Sequence, residues 1–182
     1  MHQRLVELSE YLAQQRRAVL SAASTVPSEL WTERPAPDRW SVSHILEHLH
    51  RVERSATAVV AKRVAKARDE GHPAETETTS VLGTLERFGV SDRRGRPLVA
   101  PAIVDPEEAP DRATVESRLA ESRAALLAAI ESGDGLALGE IRHTHLRFGE
   151  LNLYEWILFI AEHERRHVEQ IAETAASLAP SA

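Results

Sequence analysis

The stretch Asn152-Leu153-Tyr154-Glu155-Trp156-Ile157-Leu158-Phe159-Ile160-Ala161-Glu162-His163-Glu164-Arg165-Arg166-His167-Val168-Glu169-Gln170-Ile171 decides the reading of this chain. Asn152 followed three residues later by Glu155 has the spacing of a capping box, in which each side chain satisfies a backbone N–H at a helix start. Beyond it Leu153, Trp156, Ile157, Ile160, Ile171 and Leu178 recur at helical spacing, the clearest amphipathic stripe in the sequence. At roughly 100° per residue the stripe centres near Ile160, with His167 about 20° and His163 about 60° away. Both imidazoles therefore belong to the buried face. They stand one turn apart, about 6 Å along the axis, so their nitrogens can converge on one ion. Hydrogen bonding alone is the competing explanation, but two buried imidazoles side by side each need a partner and cannot comfortably both be charged. A metal satisfies both.

Three further helices are expected. Leu5, Leu8, Leu12 and Val19 mark the first over residues 3 to 24, ended by Pro27. Pro27, Pro35 and Pro37 with Trp31 and Trp40 then form a connection whose indoles close an end of the bundle. Ser41 is placed to cap a second helix over 42 to 69, with Val42, Ile45, Leu46, Leu49, Val52, Ala56 and Val59 on its apolar face. Asp111 caps a third over 111 to 132, its face Val115, Leu119, Leu126 and Ile130, stopped by Gly133-Asp134-Gly135.

Between the second and third helices lies a long connection, Gly71 to Pro110, with five prolines, the turn-like Ser91-Asp92-Arg93-Arg94-Gly95, and Val81, Leu85 and Phe88 as a candidate short helix. A segment this long crosses the bundle rather than closing a tight hairpin. The expected fold is an all-α four-helix bundle with a long crossover between helices 2 and 3, a single domain over residues 1–182, without strands and with a frayed Ala/Ser/Pro tail.

The chain has 182 residues, 42% of them hydrophobic, enough for one core without staples. It has no cysteine, which excludes disulfides, thiolate ligands and a cysteine nucleophile, so any thiol must come from outside. The net charge of −6 opposes phosphate neutralisation, and no nucleic-acid partner is expected. The N-terminus leads straight into an amphipathic pattern, and no apolar run approaches spanning length. A cytoplasmic protein with no membrane partner is the expectation.

The third ligand comes from Ser43-His44-Ile45-Leu46-Glu47-His48-Leu49-His50. His48 lies about 80° from the centre of that helix's apolar face, whereas His44 and His50 lie about 120° away on opposite flanks. His48 is the best candidate. Three neutral imidazoles, His48, His163 and His167, suit Zn, Ni or Fe and leave open positions, the layout of a catalytic rather than a closed structural site. His44, one turn before His48, could reach the ion as a fourth ligand, but its helical position favours a solvated or hydrogen-bonded flank. Glu47, Glu164 and most of the run Glu162 to Arg166 are read as exposed charge.

At these residues the sequence resembles the DinB/YfiT-like superfamily of four-helix metalloproteins. Arg39-Trp40-Ser41-Val42-Ser43-His44-Ile45-Leu46-Glu47-His48-Leu49 is similar to its tryptophan-serine helix start and His-Leu ligand site. His145-Leu146-Arg147-Phe148-Gly149-Glu150-Leu151-Asn152-Leu153-Tyr154-Glu155-Trp156, with His163-x-x-x-His167-x-x-Gln170-Ile171, matches its second half. The resemblance implies His48, His163 and His167 as the metal triad. Leu146 departs from the proline of many relatives, so His145 is given no more than a wall or supporting role. The resemblance also implies enzymes that use low-molecular-weight thiols, as transferases or isomerases, and metal-dependent hydrolases. The first expectation is thus a metal-dependent enzyme activating a water or a low-molecular-weight thiol for a small-molecule substrate. The alternative is a non-catalytic stress-related bundle that binds metal or a small ligand, or forms a homodimer through an exposed helix face.

Overall fold

In the computed structural model, which describes residues 1–92 and 101–179, each helix starts on a side chain that accepts one of its free amides. Helix α1, Gln3–Ser24, starts on His2; α2, Val42–Asp69, on Ser41; α3, Arg112–Ser132, on Asp111. Helix α4, Leu153–Leu178, opens with the full capping box of Asn152 and Glu155. The remaining regular structure is a hairpin of β1, Arg142–His145, and β2, Gly149–Asn152, with short 3-10 turns at Ser28–Leu30, Glu86–Phe88 and Ala102–Val104. No helix among the described residues is long and apolar enough to cross a membrane.

Side-chain pairs fix the helix directions. Along α1 and α4, Arg4 lies 5.3 Å from the Tyr154 ring, Tyr11 donates to Glu162 at 2.7 Å and Arg16 to Glu164 at 2.6 Å. The two helices therefore run parallel. Along α2 and α3, Arg118 reaches Glu47 at 3.0 Å, Arg123 reaches Glu53 at 2.6 Å, and Arg68 reaches the Ser132 carbonyl at 2.6 Å, so these two are parallel as well. Arg16 donates to the Leu119 carbonyl and Arg123 to that of Leu12, which sets α1 antiparallel to α3. The order is up, down, down, up.

Because α2 and α3 are consecutive and parallel, their connection must return the length of a helix, roughly 40 Å for 28 residues. That is the crossover the sequence implies. Buried Val81, Leu85, Val90 and Val104 tie it to the core. Glu75 pins it further, accepting from Arg4 at 3.2 Å and from the Tyr154 hydroxyl at 2.6 Å. Of the expected short helix, Glu86–Phe88 forms a single 3-10 turn, with Val81 and Leu85 as buried anchors before it. Arg93, Arg94, Gly95 and Pro97 of the expected turn region, and the last residues of the tail, lie outside the described residues.

Two expectations are corrected. The hairpin β1–β2, with His145 opposite Gly149, stands where no strand was expected. Its three-residue connection, residues 146 to 148, leads into Gly149 at φ 71°, the left-handed conformation that lets such a short link close. The acids Glu47 and Glu164 are not exposed charge: both are buried, as is Arg166. Glu47 is held by Arg51 and Arg118, each at 3.0 Å.

Glu164 belongs to a charge cluster drawn from all four helices. Arg16 of α1 donates to Glu164 at 2.6 Å and to Glu53 of α2 at 2.9 Å; Arg123 of α3 donates to Glu53 at 2.6 Å and to Glu164 at 2.9 Å. Ser122 also donates to Glu53. Alternating signs compensate the burial, and the helices are locked in one register.

Candidate metal centre

The stripe arithmetic on α4 brings His163 and His167 to the face that meets α2, and His48 projects from α2 toward them. The Nε2 atoms of His48 and His163 are 3.2 Å apart, and those of His163 and His167 are 3.1 Å apart. One donor atom from each ring lies within 4.8 Å of the other two, a group able to hold a metal ion. Ligand nitrogens about 2.05 Å from a tetrahedral ion stand about 3.3 Å apart, so the spacing fits.

Hydrogen bonds on the far side of two rings fix which nitrogen faces inward. His48 Nδ1 lies 2.8 Å from the Val104 carbonyl, and His167 Nδ1 lies 2.7 Å from Gln170 Oε1. A carbonyl oxygen only accepts, so His48 Nδ1 carries the proton and its Nε2 presents a lone pair. With Gln170 Oε1 as acceptor, His167 has the same tautomer. Without an ion, a single proton on His163 Nε2 could serve only one neighbour well. Three nitrogens crowded this way form a group that could hold a metal ion.

Burial first, and then the neighbouring His167 and His48 rings, hold the His163 imidazole well below its usual pKa of 6.5. Burial also lowers that of His48, against the pull of its bond to Val104. Both rings are thus kept neutral, the form that ligates.

The neighbouring histidines have other partners. His44 is buried, with Nδ1 2.7 Å from Ser41 Oγ and Nε2 2.7 Å from Arg34, so both nitrogens are occupied. It is a hydrogen-bonded flank and not a solvated one. His50 is buried too, apart from the convergent group. His145 stays outside the group and forms part of a wall, its ring 4.8 Å from that of Phe159, which in turn stands 5.5 Å from His163.

Beside the triad lies a cavity of about 1210 Å³, lined by Trp40, Phe148, Trp156 and Phe159 with His145 and the three histidines. Trp40 rests 4.9 Å from the His48 ring, so it walls the site, while Trp31 is the indole buried at the bundle end. Sequence reasoning missed two supports. Gln170, one turn beyond His167, was legible from its spacing; Val104 carries no signal, because any residue supplies a carbonyl.

A four-helix bundle that gathers three inward imidazoles beside an open cavity defines a class of helical histidine-site proteins. The chain belongs to the DinB superfamily, whose family model matches residues 11–171. It is 27% identical over 149 residues to an uncharacterized protein, YuaE, of Bacillus subtilis (strain 168), covering 80% of this chain and 83% of that protein. No solved structure matches.

Proposed function

We propose that this protein is a metal-dependent enzyme of the thiol transferase or hydrolase type, with His48, His163 and His167 holding one divalent transition ion, zinc, nickel or iron. The observation that carries the reading is the convergence of three Nε2 atoms at the wall of a cavity large enough for a small-molecule substrate and a thiol cosubstrate. A divalent ion held by His48, His163 and His167 would supply Lewis acidity toward a water or thiol and bring the pKa of that group toward neutrality.

The chain's own residues do the rest. Val104 and Gln170 orient two of the rings and hold their protons on Nδ1. Trp40, Phe148 and Phe159 give the cavity apolar walls, which exclude water from a bound substrate and strengthen polar contacts inside it. With no cysteine in the chain, a thiol nucleophile must enter as a small molecule, and the cavity gives it a place beside the histidines. All three ligands come from one chain, so the reading needs no second copy.

The test is turnover by protein loaded separately with each metal. Glutathione, cysteine and other small thiols are offered with a haloaromatic electrophile in one series, and activated esters and amides with water in the other. The expected result is metal-dependent turnover in one series that falls at least about a hundredfold in His167→Ala. Activity unchanged in that variant overturns metal catalysis. Full metal occupancy with no turnover in either series supports the binding-protein alternative instead.

A further inference from the structure

The hairpin places His145 beside the candidate centre in a tautomer opposite to that of His48 and His167. Its Nδ1 accepts the backbone N–H of Arg147 at 3.1 Å and of Phe148 at 3.4 Å, closing the turn. A nitrogen that accepts carries no proton, so the neutral ring holds its proton on Nε2. That N–H has no acceptor among the described residues, and the ring lines the cavity. With Nδ1 turned to the backbone, the distal edge of the ring is the edge left to meet a ligand.

The ring is held firmly in this pose. It stacks on Phe148 at 4.8 Å and contacts Trp156 at 5.0 Å and Phe159 at 4.8 Å. The chain has only three Trp and three Phe, yet two of each, Trp40, Trp156, Phe148 and Phe159, line this one cavity. Arg147, next in the turn, is an exposed cation of the same cavity with no ion pair among the described residues.

We propose that His145 is a ligand-positioning residue: its Nε2–H donates to an oxygen acceptor, a carboxylate favoured by Arg147, on a flat unsaturated small molecule whose other end reaches the three-histidine centre. This deepens the proposed function and rests on it for the second anchor of the ligand. The aromatic walls select for flatness, and the fixed donor selects for an acceptor at the far end.

Two substitutions separate the turn from the cavity. In His145→Asn, Oδ1 can replace Nδ1 as acceptor for the turn amides, but nothing replaces the distal donor. In His145→Gln the amide N–H reaches toward the Nε2 position while the turn acceptor is lost. The probes are benzoate, isophthalate and terephthalate with their saturated cyclohexane counterparts, titrated into zinc-loaded protein by calorimetry.

In wild type the aromatic acids bind more tightly than the saturated ones, and the better dicarboxylate binds more tightly than benzoate. His145→Asn weakens that dicarboxylate by tenfold or more and leaves benzoate and zinc affinity near wild type, as expected for one lost hydrogen bond to a charged group. His145→Gln recovers part of the loss. Nitrogen-15 spectra of the imidazoles show protonated Nε2 on His145 and protonated Nδ1 on His48 and His167. Dicarboxylate binding unchanged in His145→Asn with zinc bound, no preference for a dicarboxylate in wild type, or a proton on His145 Nδ1 each overturns the proposal. Failure of wild type to bind zinc refutes the metal centre instead, and the two outcomes are read separately.

Discussion

Replacing Glu53 by Gln tests the clamp that sets the register of the four helices and so the convergence of the histidines. The Glu53 side chain is 1% exposed, and its oxygens accept from Arg16 at 2.9 Å, from Arg123 at 2.6 Å and from Ser122. Whichever oxygen position the amide nitrogen takes, an N–H2 then faces an arginine N–H, and two guanidinium ions are left with one carboxylate. Breaking a buried pair in this way costs about 3–5 kcal/mol. That is a large share of a domain stability of about 5–15 kcal/mol. For a chain of this length it corresponds to a fall in melting temperature of about 6 to 20 °C.

Glu164→Gln should be milder, below about 2 kcal/mol, because the acid is less well served. Only its Oε1 meets the arginines, and Oε2 is buried without a partner. The titration directions agree. Burial raises the pKa of both acids, but for Glu53 the charges of Arg16 and Arg123 prevail and hold it below 4.5. For Glu164 burial prevails, with repulsion from Glu53 added, and its pKa is raised. The assay is urea unfolding of both variants at neutral pH, requiring unchanged m-values. Equal losses, or a Glu53→Gln loss under about 1 kcal/mol, would show that Glu53 is not the carboxylate that holds the two arginines.

Three further outcomes are expected. Gln170→Leu removes the acceptor that orients His167 and should weaken zinc affinity about 10–100-fold in a chelator competition titration; an unchanged affinity contradicts the orienting role. Zinc at a hundred times its dissociation constant should stabilise the protein by about 2.7 kcal/mol, and chelation or His163→Ala should abolish that gain in thermal melts. Part of the pH dependence of the metal-free protein comes from His163 and His48, whose folded pKa values lie below 6.5, as do those of His44, His50, His143 and His145. The unfolded chain binds more protons between those values and 6.5, so stability is full above about 6.5 and is lost as the pH falls through the folded values. His163→Leu should flatten that slope in a pH series of melts, and an unaltered slope counts against its burial as a neutral ring.

Much of this was written in local sequence. Ser41, Asp111 and Asn152 are caps whose chemistry is local, so the starts of α2, α3 and α4 were legible to within a residue. Helical periodicity alone separated His48 from His44 and His50 and placed His163 and His167 inward. The hairpin was not legible, because Arg142-His143-Thr144-His145 has no apolar alternation and pairs only once Gly149 turns the chain. Glu47, Glu53 and Glu164 look like surface charge until Arg16, Arg118 and Arg123 arrive from other helices, a tertiary fact invisible to periodicity. The Val104 carbonyl is anonymous in sequence for the same reason.

The most direct measurement is X-ray absorption spectroscopy of protein loaded with one equivalent of zinc, beside elemental analysis of the dialysed sample. The expected result is one ion per chain with three imidazole nitrogens at about 2.0–2.1 Å and at least one further light-atom ligand, and a site lost in His163→Ala. No retained zinc at saturating metal, or an ion bound without imidazole scattering and unaffected by His163→Ala, would contradict it.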